Sequence, residues 1–165
     1  MDIVAINEMP LDAAREAFLR CLGARRWVDA MTARRPFASA DDVVAAATEI
    51  EASLSRDDWL EAFAAHPQIG DVSTVRQKFA ATADWSAAEQ AGVGAADEET
   101  LTALAEANRE YEARFGHTFI VCATGKTAAE MLSILLGRLL NEPDAELQIA
   151  AAEQAKVTRL RLEKL

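Results

Sequence analysis

Apolar residues recur every three to four positions along most of this chain, and residues typical of helix ends separate the repeats. This spacing indicates helices that bury one face. Hydrophobic residues make up 51% of the sequence, although many are alanine and only 6% of the residues are aromatic. Alanine, leucine, glutamate and arginine lose little rotamer freedom in a helix, so the composition also favours helix. We therefore predict an all-α fold.

Helix start and stop signals divide the chain into about seven helices. Ser39, Ser55 and Thr127 are each followed three residues later by an acidic residue, which is the spacing of a capping box. Gly116 is placed to end a long helix over residues 97–115. With 165 residues and no linker, the chain is long enough for one core and too short to expect two. We predict a single compact domain over residues 1–165.

The charge of the chain limits its partners and its location. A net charge of −10 repels nucleic acid phosphates and gives no electrostatic reason to bind an acidic membrane. No apolar run approaches the roughly 20 residues of a membrane span. Residues 1–10 lack the pattern of a signal peptide, and Glu163 replaces the serine of a peroxisomal Ser-Lys-Leu signal. We expect a cytoplasmic protein whose partner is a small molecule, anionic if arginines converge locally.

Cysteines and histidines give no indication of a disulfide or a metal centre. Cys21 and Cys122 are far apart and are predicted to be reduced. His66 and His117 are not spaced as metal ligands, so we expect no metal. Residues 125–127 resemble the end of a phosphate loop, but the glycine that such a loop requires earlier would fall at Ile120.

His66-Pro67 is the first candidate for chemistry. The proline makes a helix end at this position and favours an extended turn. Histidine has a reference pKa of about 6.5, so it can exchange protons near neutral pH. The alternative is an ordinary helix end on the surface, with a proline that terminates the helix. Spacing alone does not decide between the two.

Residues 86–90, which read Ser-Ala-Ala-Glu-Gln, are the second candidate. Ser86 and Glu89 have capping-box spacing, which would satisfy two backbone donors at the start of a helix. The same helix N-terminus could instead bind a carboxylate or imidazolone oxygen of a ligand. Both roles are compatible if Ser86 holds the turn while Glu89 faces a cavity.

The apolar run from Phe119 to Ala123 is the third candidate. It is too short to classify as a strand or as buried extended chain. Its side chains indicate core, but the backbone of a buried irregular segment needs hydrogen-bond partners, and a ligand could supply them.

These segments together resemble the 2-oxo-4-hydroxy-4-carboxy-5-ureidoimidazoline (OHCU) decarboxylase family. Order and spacing match over nearly the whole chain, and the conjunction is specific although each motif alone is weak. Gln68 stands where the family commonly has aspartate after His-Pro. The matching motifs are His66-Pro67-Gln68-Ile69-Gly70, Ser86-x-x-Glu89-Gln90, Asn108-x-x-Tyr111-x-x-Arg114-Phe115-Gly116, Phe119-Ile120-Val121-Cys122-Ala123, Gly125-Lys126, Arg138-Leu139-x-Asn141 and Leu160-Arg161-Leu162.

The resemblance implies an all-α homodimer that works without metal or organic cofactor. The implied reaction converts the carboxylated ureidoimidazoline of urate breakdown into (S)-allantoin and carbon dioxide. By resemblance His66 is the principal acid/base and Glu89 orients or polarises the substrate beside it. Arg161 would bind the substrate carboxylate with its planar fork. The ring and ureido group would be held by Pro67, Ser86, Ala87, Ala88, Gln90 and the backbone of Phe119, Ile120, Val121, Cys122 and Ala123.

A different class of protein fits part of the same sequence. An acidic helical interaction module would use the His-Pro turn and the capping boxes for structure alone. The two readings differ in one respect, because only an enzyme has a reason to gather His66, Glu89 and Arg161.

Overall fold

A computed structural model describes residues 1–66 and 98–165 of the chain. These residues form eight helices and no strand, which confirms the predicted all-α fold. The helices are α1 (Ile3–Glu8), α2 (Leu11–Cys21), α3 (Arg25–Ala33), α4 (Ala40–Glu51), α5 (Arg56–Ala64), α6 (Glu98–Phe115), α7 (Ala128–Arg138) and α8 (Pro143–Leu162).

The helix α1 is one more than the sequence predicts. It has six residues, so its apolar spacing is too short to recognise as a periodic pattern. The side chain of Asp2 accepts a hydrogen bond from the backbone N–H of Ala5, and Ile6 is buried. This cap, the burial of Ile6 and the hydrogen bonds from Arg35 to the carbonyls of Ile6 and Met9 hold the short helix in its folded context.

The predicted helix starts are confirmed where the capping signals are strong. Ser55 and Asp58 form a reciprocal capping box at α5, and Thr127 and Glu130 form one at α7. At α4 the Ser39 side chain accepts the N3 backbone N–H. Each cap satisfies backbone donors that the helix itself leaves unpaired, which is why the local sequence fixes these boundaries.

The described residues divide into two compact units. The first consists of residues 1–66 and 149–165, and the second contains residues 98–148. The helix α8 belongs to both, since its residues 143–148 are counted with the second unit and residues 149–162 with the first.

The first unit has an aromatic centre. The ring of Phe18 contacts Trp27 and Phe37 edge-on, with centroids 6.0 Å and 6.4 Å apart. Phe18 and Trp27 are almost completely buried. Edge-to-face contacts of this kind add to the hydrophobic gain from burial, so α2, α3 and the chain before α4 share one core.

The second unit packs α6 against α7. The predicted apolar face of α6 is buried, including the polar residue Asn108, and the helix ends at Gly116 with φ +74° as predicted. The core cluster of this unit contains Leu101, Leu104, Ala105, Ala107, Tyr111, Phe115, Phe119, Val121, Ala128, Met131, Leu135 and Leu139.

Other expectations concern thiols and membranes. Both cysteines are thiols, as predicted, although Cys122 is only half-buried whereas Cys21 is buried. Within the described parts of the chain, no helix has the length and apolar character required to cross a bilayer.

Candidate active site

His66 lies at the end of α5. The helix ends at Ala64, and the backbone N–H of His66 donates to the carbonyl of Phe63 at 3.1 Å in the last turn. The imidazole is half-buried. Its partner in the predicted motif, Pro67, lies outside the described residues. The last turn of the helix therefore holds the backbone of this histidine.

A close backbone approach fixes the end of α5 within the first unit. Gly23 follows α2, and a Cβ atom at this position would overlap the Cβ of Ala65. The next nearest atom is the carbonyl oxygen of Ala62 at 3.6 Å. Only glycine allows the link between α2 and α3 to lie so close to the residue before His66.

The imidazole contacts a buried amide. Nε2 of His66 lies 2.6 Å from Oε1 of Gln154, which is 88 residues later and completely buried on α8. The amide nitrogen of Gln154 donates to Oγ1 of Thr158 at 3.3 Å. The Thr158 hydroxyl in turn donates to the backbone carbonyl of Gln154 at 3.0 Å. The histidine is therefore the outer member of a three-residue hydrogen-bonded chain.

Arg161 lies seven residues after Gln154 and therefore on the same face of α8, about 10 Å further along the axis. Its Nη1 donates to the carbonyl oxygens of Arg20 and Cys21, at 3.1 Å and 3.3 Å. These carbonyls are at the C-terminal end of α2, where a cation is favourable. Arg161 thus has a structural contact that the sequence does not predict.

Cys21 next to this contact is not a reactive thiol. Burial raises its pKa to about 11, an effect that the charges of Arg161 and Arg20 only partly oppose. Its Sγ donates to the carbonyl of Ala17 at 3.4 Å. The thiol is consequently protonated at neutral pH and serves as a small core residue.

The segment from Phe119 to Ala123 is irregular chain that forms neither helix nor strand, so of the two alternatives that the sequence leaves open it is not the strand. The side chains of Phe119, Ile120 and Val121 are buried, while those of Cys122 and Ala123 are half-buried. The segment therefore combines a packed apolar half with a partly accessible end.

Protein groups hold three carbonyls of this segment. Nη1 of Arg138 donates to the carbonyl of Ile120 at 2.6 Å. Nζ of Lys126 donates to the carbonyl of Cys122 at 2.7 Å, and its backbone N–H donates to Ala123 at 3.0 Å. Gly125, with φ +75°, makes the turn that brings Lys126 back. Gly125 and Lys126 thus hold the backbone of this segment and are not part of a phosphate loop.

Arg138 belongs to a buried polar network in the second unit. Its guanidinium forms an ion pair with Glu146, which also accepts from the hydroxyl of Tyr111. The other oxygen of Glu146 accepts from Nδ2 of Asn141 at 2.7 Å. Burial, and then the hydrogen bond to Glu146, raise the pKa of Tyr111 far above its usual range. The phenol thus stays protonated and donates to a carboxylate whose charge Arg138 balances.

Not all predicted site residues can be located. His66 and Arg161 belong to the first unit, and the segment Phe119–Ala123 belongs to the second. The remaining predicted substrate-binding residues lie outside the described residues, namely Pro67, Ser86, Ala87, Ala88, Glu89 and Gln90.

Two residues next to His66 are not among the predicted site residues, although the sequence places both on one face of the last helix with Arg161. Gln154 and Thr158 are polar, four residues apart, and share a face of α8 with the apolar Leu147 and Ala151. A pair of polar residues on an otherwise buried face must find partners, since burial without a hydrogen bond is costly. This pattern is the signal that points to a polar contact at position 154. The described ranges contain no group of three or more potential metal ligands.

Comparison with known proteins adds independent information. The model of the family OHCU decarboxylase matches residues 7–163. The uric acid degradation bifunctional protein TTL of Arabidopsis thaliana is 38% identical over 160 residues, covering 95% of this chain and 48% of that protein. The chain thus spans about half the length of that relative.

Two further matches cover both partners almost completely. The 2-oxo-4-hydroxy-4-carboxy-5-ureidoimidazoline decarboxylase of Amia calva is 30% identical over 169 residues, covering 99% of this chain and 93% of the relative. A crystal structure of an OHCU decarboxylase in the presence of (S)-allantoin is 37% identical with a TM-score of 0.72. That match covers 91% of this chain and 96% of the other.

Proposed function

Because the chain belongs to the OHCU decarboxylase family, whose model matches residues 7–163, we propose that it decarboxylates 2-oxo-4-hydroxy-4-carboxy-5-ureidoimidazoline to (S)-allantoin and carbon dioxide. The family match spans both compact units, which supports our prediction that they form one domain. The observation in the fold that carries the proposal is His66 at the end of α5, held at Nε2 by the buried Gln154.

The substrate itself can accept the electron pair that is released when its carboxylate leaves. When the bond to the carboxylate breaks, carbon dioxide leaves and the electron pair moves into the neighbouring C=N bond, whose nitrogen takes up a proton. The ring hydroxyl then loses its proton as it becomes a carbonyl, and the adjacent carbon gains a proton. The reaction therefore needs proton transfer and orientation, and no external electron acceptor, so we propose that it is independent of cofactors.

His66 is the group that we propose for proton exchange. An imidazole can give and take protons near neutral pH, and general acid–base groups contribute typically about 10²–10⁴-fold to a rate. Since the ring is held from one side by Gln154, it can deliver a proton to one face of the adjacent carbon. Delivery to one face produces a single enantiomer, whereas the unaided reaction gives a racemate.

Glu89 and its neighbours are proposed to hold the substrate. Glu89 would orient or polarise it beside His66. Ser86, Ala87, Ala88 and Gln90 would contact the ring and ureido group at a helix N-terminus, together with Pro67.

The segment Phe119–Ala123 and Arg161 are also proposed to bind the substrate. Carbonyls of Ile120, Cys122 and Ala123 already accept protein hydrogen bonds. We therefore assign the substrate oxygens to backbone N–H groups of Phe119–Ala123. The guanidinium of Arg161 is proposed to bind the substrate carboxylate, because a chain of net charge −10 needs a local cation to accept an anion.

We further propose that the protein is a cytoplasmic homodimer. Two leucines of the second unit, Leu136 and Leu140, lie four residues apart near the end of α7 and are 49% and 82% exposed. Neighbouring exposed leucines favour burial against a second copy. Light scattering with a Leu140→Lys variant tests this, since an interface of this kind would be weakened by the added charge.

The proposed activity is tested by generating the substrate in situ and following optical rotation. The expected result is rapid formation of the (S)-enantiomer alone, against the slow racemic background. His66→Ala should abolish the handedness while the circular dichroism spectrum stays helical. His117→Gln is the matched control, because His117 is the other histidine and packs against Tyr111 in the core.

Glu89→Gln separates catalysis from capping. Glutamine can still close a capping box, so a purely structural Glu89 predicts unchanged melting and an unchanged rate. A catalytic Glu89 predicts normal melting and a large loss of kcat.

A wild-type protein that is folded and leaves the product racemic would instead favour the helical interaction module.

A further inference from the structure

The hydrogen-bonded chain that ends at His66 has a direction. The hydroxyl of Thr158 donates to the backbone carbonyl of Gln154 at 3.0 Å. A hydroxyl has a single proton, so Thr158 has no second proton to donate. Oγ1 of Thr158 can then act towards the side chain of Gln154 only as an acceptor. The group of Gln154 that faces it at 3.3 Å must therefore be the amide NH₂.

This orientation of the amide determines which of its atoms faces the imidazole of His66. With its NH₂ towards Thr158, Gln154 presents Oε1 to the imidazole, 2.6 Å from Nε2. An amide oxygen accepts and never donates, so Nε2 must carry a proton. In the neutral imidazole the lone pair is then on Nδ1.

We propose that Gln154, oriented by Thr158, is a positioning residue that keeps Nε2 of His66 protonated and makes Nδ1 the nitrogen that exchanges protons with the substrate. The inference rests on the proposed function for the exchange step, but the tautomer itself does not depend on it. Gln154 needs no contact with the substrate for this role.

The burial of Gln154 supports a role beyond packing. The side chain is completely buried on a face of α8 shared with Leu147 and Ala151. A buried amide without partners would cost stability, and an apolar residue of similar size would avoid that cost. Both ends of this amide are used, one by Thr158 and the other by His66. The two partners therefore explain why a polar residue is buried at position 154, and the contact with His66 gives it a role in fixing the protonation of the imidazole.

Nuclear magnetic resonance of the wild-type protein gives the first test. With only two histidines in the chain, ¹⁵N-labelling of histidine yields two ring systems, and His66→Gln assigns them. Above its pKa, the ring of His66 should show a protonated Nε2 and an unprotonated Nδ1. A ring protonated at Nδ1, or an even mixture of the two tautomers, would overturn the proposal whether or not the protein is an enzyme.

Substitution of Gln154 gives the second test. Gln154→Leu removes the acceptor at Nε2, so the fraction of the ring protonated at Nε2 should fall and kcat should fall about 10- to 100-fold with little change in KM. Gln154→Glu places a carboxylate at Nε2, which favours the imidazolium and should move the His66 limb of the pH–rate profile to higher pH. Glu89 and Arg161, the other charged residues of the proposed site, are unchanged in both variants. Gln148, exposed on the same helix, provides the matched controls Gln148→Leu and Gln148→Glu.

Substitution of Thr158 gives a third test, in which Gln154 itself is unchanged. Thr158→Val removes the acceptor that orients the amide and should weaken the tautomer preference, while Thr158→Ser keeps the hydroxyl and should restore it. Thr48→Val is the control, since Thr48 makes the same bond to a carbonyl four residues earlier on an exposed face of α4. Unchanged tautomer and kcat in both Gln154→Leu and Thr158→Val would refute the positioning role. A wild-type protein with the expected tautomer but no enantioselective activity would count against the proposed function alone.

Discussion

Nη1 of Arg138 donates a 2.6 Å hydrogen bond to the carbonyl oxygen of Ile120, so a buried cation holds the backbone of the segment Phe119–Ala123. The same guanidinium lies over the ring of Phe119, 4.7 Å from its centroid. Its charge is balanced by Glu146, which is completely buried. The proposed substrate-binding backbone is therefore shaped by an ion pair in the core of the second unit.

Breaking this ion pair should destabilise the protein strongly. Arg138→Met leaves the carboxylate of Glu146 buried without its guanidinium, and we expect a loss of about 3–5 kcal/mol in the free energy of unfolding measured by urea denaturation. Arg159→Met is the control, because Arg159 pairs with Glu163 on the surface at 3.4 Å and exposed pairs contribute little.

The double variant Arg138→Met/Glu146→Leu should be more stable than Arg138→Met alone. It removes both charges, so no buried carboxylate is left unbalanced. The carbonyl of Ile120 and the hydroxyl of Tyr111 still lose a partner, and recovery should therefore be incomplete. A double variant as unstable as the single one would show that the charge of Glu146 is not what makes Arg138 necessary.

Two glycines should respond to alanine in opposite ways. Gly23→Ala forces its Cβ against the Cβ of Ala65, and we expect a loss of about 1–3 kcal/mol together with reduced kcat, because the end of α5 carries His66. Gly137→Ala adds a methyl group inside α7 where, apart from the backbone of the helix itself, no atom of the described residues lies within 4 Å, and should stabilise by about 0.5–1 kcal/mol. Thermal melting of both variants checks the contrast. Equal melting temperatures would contradict the close approach at Gly23.

The sequence predicts what is local in this fold. Ser55, Thr127 and Gly116 lie at their expected helix ends, because a cap involves atoms only three or four residues apart. The apolar face of α6 is also correct, since a period of 3.6 residues is visible in one stretch of chain.

Contacts between distant residues are less accessible to sequence reasoning. His66 meets Gln154 across 88 residues, and Arg138 meets Ile120 across 18. Motif resemblance marks His66, Arg138 and Tyr111 but says nothing of Gln154 or Glu146. The polar pair on α8 indicates that Gln154 needs a partner, but which donor each of the two acceptors faces is seen only in the fold. The extra contact of Arg161 with the end of α2 is of the same kind.

The two cysteines should differ in reactivity. Cys21 is buried with a pKa of about 11, so only about one molecule in a thousand is thiolate at pH 8. Cys122 is half-buried within the proposed substrate-binding segment. We expect iodoacetamide to modify Cys122 in the native protein and Cys21 only after unfolding, as read by mass spectrometry. (S)-allantoin should slow the modification of Cys122, and modification at the same rate with saturating product would remove this segment from the site.

Arg161 should affect both binding and stability. Its Nη1 donates to the last carbonyls of α2, and Arg161→Ala leaves those carbonyls without that donor. We expect a loss of about 1 kcal/mol in the free energy of unfolding from this contact.

The catalytic effect of Arg161→Ala should fall mainly on KM. Tight binding of the carboxylate does not by itself accelerate its departure, because an interaction equal in ground state and transition state lowers KM without raising kcat. Arg161→Lys should restore the contact with α2 better than it restores KM, since an ammonium group can donate to a carbonyl but lacks the planar fork that binds two carboxylate oxygens. Steady-state kinetics and urea denaturation of both variants separate the two roles. A KM close to wild type in Arg161→Ala, with only stability reduced, would limit Arg161 to its contact with α2 and leave the helix N-terminus that the sequence predicts at Ser86 as the group proposed to bind the anion.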